Sequence, residues 1–252
     1  MTDIAAEQKR EPIPLWSKPL LWVNDRLIFE APGKPVIQVN WAVNFHKIVT
    51  LFLVYWMMHF TNNFSDGAWV YLALHGIYGY CWLIKAFGFR DLQFENKISW
   101  FGVFNLYALL VAWYWLIPWL FLSRHIEPSG FDLFVAIGIH TLGVVIMLAA
   151  DGQRHWVTRY QKGLMTFGMC RYTRNPNYLG EMMLYFAYAY LADHWAAWAV
   201  FGYMCVYFLA RMMRKDHSIS RHPGWAAYKK QSGLVIPWAI FNGRAFRDLF
   251  KG

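Results

Sequence analysis

The sequence predicts an all-α, polytopic integral membrane protein, a helical bundle of about six to seven transmembrane helices. Three observations predict it. Of 252 residues, 58% are hydrophobic and only 15% are charged, too apolar and too charge-poor for an ordinary soluble domain. The apolar residues gather into runs of about 20, the length that spans a bilayer. The Lys and Arg residues fall almost entirely in alternate breaks between those runs, the asymmetry that orients membrane helices.

Residues 1–40 form an N-terminal cytoplasmic or interfacial segment. Its start is charged and Pro-rich, without the apolar core of a signal peptide. Within it, 15–29 carries Trp16, Leu20, Trp22 and Ile28 but is interrupted by Lys18, Asp25 and Arg26. That pattern suits an interfacial segment with tryptophan anchors better than a span. Six candidate spans follow, at 41–60, 68–88, 100–122, 131–150, 178–192 and 195–213. Asp66-Gly67 and Asp193-His194 punctuate the first and last pairs. The fifth run is short, and is expected to tilt or to lie partly inside protein.

Up to Lys47 there are six basic residues, 85–97 holds three, the loop at 151–176 holds five, and nine follow from Arg211 onward. The alternate loops hold only Arg124. The positive-inside rule therefore places both termini in the cytoplasm, and an even number of spans agrees with that. The net charge of +9 is then a topology signal, and nucleic acid is not expected as a partner. Cys81, Cys170 and Cys205 are scattered, with no CxxC pair, so neither a disulfide framework nor a metal site is expected.

The tract 171–181 reads RYTRNPNYLGE and runs straight into an apolar segment. Polar groups at bilayer depth are costly and mark function by default. Asn175 before Pro176 reads as a helix start, with Asn as the cap and Pro at the first helical position. Asn177 and Glu181, four apart, share a helix face, with Tyr178, Tyr185 and Tyr188 near the same side. Arg171 and Arg174 stand just outside the N-terminus, where anions are favoured. The preceding loop adds Asp151, Arg154, Arg159 and Lys162. A second polar cluster in the tail holds Arg211, Arg214, Lys215, Asp216, His217, Arg221 and His222, and continues to Tyr228 and Pro237. Arginine suits bidentate recognition of phosphate, while Asp151, Asp216 and Glu181 suit ribose hydroxyls or a carboxamide.

From 151 to 237 these residues resemble the steroid 5-alpha-reductase family, with NYLGE at 177–181 as the most specific element. The resemblance implies a membrane enzyme using NADPH, with the cofactor-binding half of a 41–252 transmembrane domain at about 151–240. It implies that Asn177 and Glu181, beside Tyr178, hold the nicotinamide end. Asp151, Arg159, Arg171 and Arg174 would grip ribose and phosphates. Arg214, Asp216, His217 and Arg221 lie in the tail over the adenosine end, with Tyr228 at the aromatic position before Pro237. Upstream, LHGIYGYCWLIK at 74–85, followed by Phe89, Arg90 and Asp91, is similar to the helix carrying the family's catalytic tyrosine. Tyr78 is the favoured match and Tyr80 the runner-up. Where animal members place a glutamate on the preceding helix, this chain has His59, Asn62 and Asn63, and His59 joins Tyr78 as a candidate donor. Animal members have seven spans against the six clear ones here.

Isoprenylcysteine and phospholipid methyltransferases, which bind S-adenosylmethionine, carry a related motif, but here Asn175 replaces its histidine. The tail likewise has Arg214, Lys215, Asp216 and His217 in place of their paired glutamates. No GxGxxG, P-loop, HExxH or GxSxG is present. The expected function is thus NADPH-dependent reduction of a C=C bond conjugated to a carbonyl in a lipophilic substrate entering from the bilayer, foremost a 3-oxo-4-ene steroid. A membrane methyltransferase and a non-catalytic sterol- or lipid-binding protein are the alternatives.

Overall fold

The computed structural model describes residues 10–89 and 91–241, except the side chains of Leu92 and Gln93. Arg90 and the Lys9, Arg244, Arg247 and Lys251 charges of the topology argument lie outside the described residues. The helix starts follow from local chemistry. Ser65 and Ser99 each accept a hydrogen bond from a backbone N–H in the first turn that follows, and Ser129 with Asp132 closes a reciprocal capping box. Asn62 and Asp193 end two helices in the left-handed conformation, which short polar side chains tolerate.

A short helix α1 (Lys18–Trp22) runs into a π-helical segment (Val23–Phe29), and Trp22 is exposed, as suits an interfacial segment. Strands β1 (Ile37–Gln38) and β2 (Lys97–Ile98) pair antiparallel, Ile37 opposite Ile98. The bundle is built from α2 (Val39–Thr61), α3 (Asp66–Gly88), a broken helix and three further long helices. The broken helix joins α4 (Trp100–Leu106) to α5 (Leu116–Ser123) through a π turn and a 3-10 turn. Then come α6 (Gly130–Tyr160), α7 (Pro176–Ala192) and α8 (Trp195–Ile219), with short α9 (Trp225–Gln231) and α10 (Trp238–Phe241) in the tail.

Among the described residues three helices are long and apolar enough to cross a membrane: Trp100–Ser123, Gly130–Tyr160 and Trp195–Ile219. α2 and α3 have 23 residues each but carry His46, Lys47, His75 and Lys85 on buried faces, and α7 has only 17 residues. Large apolar side chains, among them Phe52, Phe87, Phe104 and Phe134, stay more than 60% exposed along the helices. So much exposed apolar surface fits a membrane protein.

Two expectations need correction. The segment expected as a loop from 151 is helical to Tyr160, so Asp151, Arg154 and Arg159 project from the last turns of α6. Once apolar residues have set the helix, nothing in its polar continuation breaks it until Gly163, at φ 113°. Asn175 does precede the first helical residue, Pro176, but its side chain caps nothing. Its amide instead donates to the Leu234 carbonyl in the tail, at 2.9 Å.

α6 and α7 cross at Gly143 and Gly180. A Cβ on Gly180 would stand 2.5 Å from the Gly143 carbonyl oxygen and 2.7 Å from the Met147 nitrogen, both backbone atoms that cannot swing away. Small residues at such crossings let membrane helices approach closely. Gly180→Ala gains about 1 kcal/mol of helix propensity, yet the overpacking costs about 1–3 kcal/mol. The expected result is a lower melting temperature in detergent, with unchanged helix content by circular dichroism.

Candidate functional site

The helices enclose a cavity of about 160 Å³, measured as space open to the centre of a water molecule. Its wall combines apolar side chains, Ile28, Val43, Leu106, Leu110, Met204 and Phe208, with the polar groups of Lys85, Asp91, Arg154, Asn177, Glu181 and Arg211. Helical spacing puts Asn177, Glu181 and Tyr185 on one face of α7, and all three line the cavity, as does Tyr178. The Asn177 amide makes no hydrogen bond to another described residue, so it faces the cavity with its donors and acceptor free.

Ion pairs hold the polar residues, with Lys85 and Asp151 buried and Arg154 and Asp91 partly exposed. Lys85 Nζ sits 2.6 Å from Asp151 Oδ2 and 4.0 Å from Glu181 Oε1. Arg154 Nη2 is 2.6 Å from Asp91 Oδ2 and 3.5 Å from Asp151 Oδ1. Arg154 and Asp91 also line a second, more open pocket of about 450 Å³, shared with Asp151 and Arg159. The two pockets therefore meet at one ion pair.

Tyr78 is buried, and its hydroxyl lies 2.8 Å from that of Tyr185, which in turn donates to Glu181 Oε2 at 3.4 Å. Tyr78 lines a small chamber of about 10 Å³ behind the cavity, and Tyr185, Tyr114 and Lys47 line both. The structure separates the two tyrosine candidates, since Tyr80 is 61% exposed on the outer face of α3. His59 is not brought to the site. It is exposed in the last turn of α2, edge-on to Tyr55 and Phe64, about 18 Å along the helix from Lys47.

Of the remaining expected residues, Arg174, Asp216 and Tyr228 join the tract region to the tail, and Arg214 and His217 hold the N-terminal segment. Arg174 Nε donates to both Asp216 oxygens at 3.1 and 3.2 Å, and its Nη1 donates to the Ser232 carbonyl at 2.6 Å. The backbone continues this stitching through Arg174 N to Gly233 O and Gly233 N to Tyr172 O, each 2.9 Å. Arg214 pairs with Asp25 at 2.6 Å, and although burial pushes the Asp25 carboxyl up, these hydrogen bonds hold it below its ordinary value. His217 Nδ1 meets the Glu11 carbonyl at 2.7 Å. Lys229 and Trp225 hydrogen-bond the Glu11 side chain and hold that carboxyl low. The Tyr228 hydroxyl donates to the Cys170 carbonyl at 2.7 Å, and burial pushes its phenol up. Arg171 and Arg221 are exposed. None of these seven residues (Arg171, Arg174, Arg214, Asp216, His217, Arg221 and Tyr228) lines either pocket.

Sequence reasoning missed Lys47 and Lys85, which were counted only as topology charges, and the N-terminal contribution of Asn24 and Ile28. The signal for the lysines was present: each is an ionisable residue inside an apolar run, the same criterion that singled out Glu181.

Since Arg174 and Asp216 are spent on each other in a buried pair, Arg174→Ala should act as a fold mutation. Leaving Asp216 without its partner is expected to cost about 3–5 kcal/mol. A thermal melt without ligand reads this loss. A variant as stable as the parent but weakened toward phosphate-bearing ligands would instead make Arg174 a ligand contact.

Comparison with curated proteins and with solved structures returned no match. Residues 33–232, most of the chain, match the family model described as "protein of unknown function (DUF1295)", and the chain belongs to that family.

Proposed function

We propose that the protein is a multi-pass membrane reductase of the steroid 5-alpha-reductase type, acting with NADPH on a C=C bond conjugated to a carbonyl. Its substrate is a lipophilic molecule, foremost a 3-oxo-4-ene steroid, that enters from the bilayer. In this reading it has six to seven spans, with both termini and the cofactor site on the cytoplasmic side. The observation that carries the proposal is one cavity whose wall combines apolar side chains with the Asn177 amide and the Glu181 carboxylate, and which shares the Arg154–Asp91 ion pair with a second, polar pocket.

Asn177 and Glu181 suit a carboxamide, which both donates and accepts. Arg154 and Arg159 suit the phosphates of the same elongated molecule in the outer pocket. When bound, NADPH supplies a hydride to the β-carbon of the enone. The electron pair of the C=C bond then moves toward the carbonyl oxygen, and the α-carbon takes up a proton. The chain's task is to meet that developing charge with a hydrogen-bond donor in a dry site. Tyr78 acts one layer behind the cavity. Its hydroxyl fixes that of Tyr185, which faces the cavity and leans on Glu181.

NADPH should raise the melting temperature in detergent, with a gain of about 2.7 kcal/mol at a hundredfold excess over its dissociation constant. Asn177→Ala or Glu181→Gln should shrink that gain. Stabilisation by S-adenosylmethionine alone would replace the reductase with a methyltransferase, and absence of enone-dependent NADPH oxidation would favour a binding protein.

Tyr78→Phe should keep NADPH affinity but lower turnover by up to roughly a hundredfold, the scale of misplacing a catalytic group, because the Tyr185 hydroxyl loses the partner that fixes it. Steady-state NADPH oxidation with an enone substrate measures it, and unaltered turnover would remove Tyr78 from the mechanism.

A further inference from the structure

Lys47 is placed by backbone contact between α2 and α3. A Cβ on Gly79 would lie 3.1 Å from the Lys47 carbonyl oxygen, so the glycine lets α3 press against α2 at that point. The Lys47 side chain then runs inward, leaving the residue 9% exposed. Its ammonium lies 4.1 Å from the centre of the Tyr78 ring, 5.2 Å from Trp82 and 5.5 Å from Tyr114. It lines both the cavity and the small chamber that Tyr78 lines.

Three other cations around the interior meet acids, Lys85 with Asp151, Arg154 with Asp91 and Arg174 with Asp216, while Lys215 donates to the Arg174 carbonyl and Arg211 to the Tyr178 hydroxyl. Lys47 differs. Among the described residues no carboxylate lies within ion-pairing distance of it, and no oxygen accepts a hydrogen bond from it. Three ring faces are its nearest partners, with the Glu181 carboxylate acting on it only from beyond ion-pairing distance, and the rings offset only part of the cost of desolvating an ammonium. A buried ionisable group left in this state at the wall of a cavity calls for a ligand.

We propose that Lys47 anchors an acceptor oxygen of the lipophilic ligand, a carbonyl carried at the polar end of an apolar skeleton. Cavity and lysine fit together: apolar side chains of the wall take the skeleton, and the Lys47 ammonium takes the oxygen. Under the proposed reductase reading, on which the choice of a carbonyl rests, this is the oxygen on which charge collects, so the same contact strengthens as reaction proceeds.

The test uses the full chain in lipid nanodiscs with three probes: a 3-oxo-4-ene sterol, the same skeleton without the 3-oxygen, and palmitate. Hydrogen bonds to charged donors translate into roughly ten- to hundredfold in affinity. The wild type should prefer the ketone over the deoxygenated sterol by that factor. Lys47→Met, similar in length and uncharged, should abolish the preference, and Lys47→Arg should retain it. A preference that survives in Lys47→Met overturns the proposal. If that variant does not fold, the wild type still decides, because equal affinity for ketone and deoxygenated sterol rejects the anchor. A Lys47-dependent preference for palmitate over the ketone keeps the anchor and overturns the enone reading. Absence of any NADPH shift in the wild type overturns the reductase reading while leaving the Lys47 comparison intact.

Discussion

Lys85 stands between two carboxylates in an apolar interior, 2.6 Å from Asp151 and 4.0 Å from Glu181. The lysine belongs to α3, Asp151 to α6 and Glu181 to α7, so one ammonium ties three helices that are far apart in sequence. Removing Lys85 or Asp151 would leave the other's charge without its 2.6 Å partner, a larger penalty than the pair's net contribution. The constraint also fixes the polarity of the cavity. Glu181 can face inward only because Lys85 lies behind it, and Arg154 reaches the second pocket while remaining near Asp151.

The tract at 171–181 has two parts with different tasks. Its first half, through Asn175, is stitched to 232–235 by backbone and side-chain hydrogen bonds. Its second half, from Asn177, faces the cavity. The glycine between Asn177 and Glu181 serves neither directly: it sets the closeness of α6 and α7, and so how far Glu181 projects toward Lys85. A short motif thus combines an anchor, a packing contact and a polar wall.

The helical runs were legible because apolar runs of span length leave few other structures. Asn177 and Glu181 were legible because spacing of four fixes a shared face. What escaped were relations between distant segments. Arg174 and Asp216 are 42 residues apart, and their pairing, which removes both from the pocket, has no local signature. Counting charges also treats a lysine at the end of an apolar run alike whether it points outward or inward, so Lys47 and Lys85 were hidden among the topology signals. His59 failed for a related reason: position along a helix does not give the face, and its neighbours turn it outward.

The N-terminal segment completes the cavity wall with Asn24, Ile28 and Phe29, and it is held by partners near the other end of the chain. Tyr207 donates to Asn24, Arg214 pairs with Asp25, and Lys229 and Ser220 meet Glu11. A ribosome delivers these partners about 180 to 220 residues after the segment itself, and such remote pairings are slow to form. A segment made well before its partners is therefore among the last to dock. Until α8 and the tail emerge, the nascent bundle keeps that side of its interior uncovered.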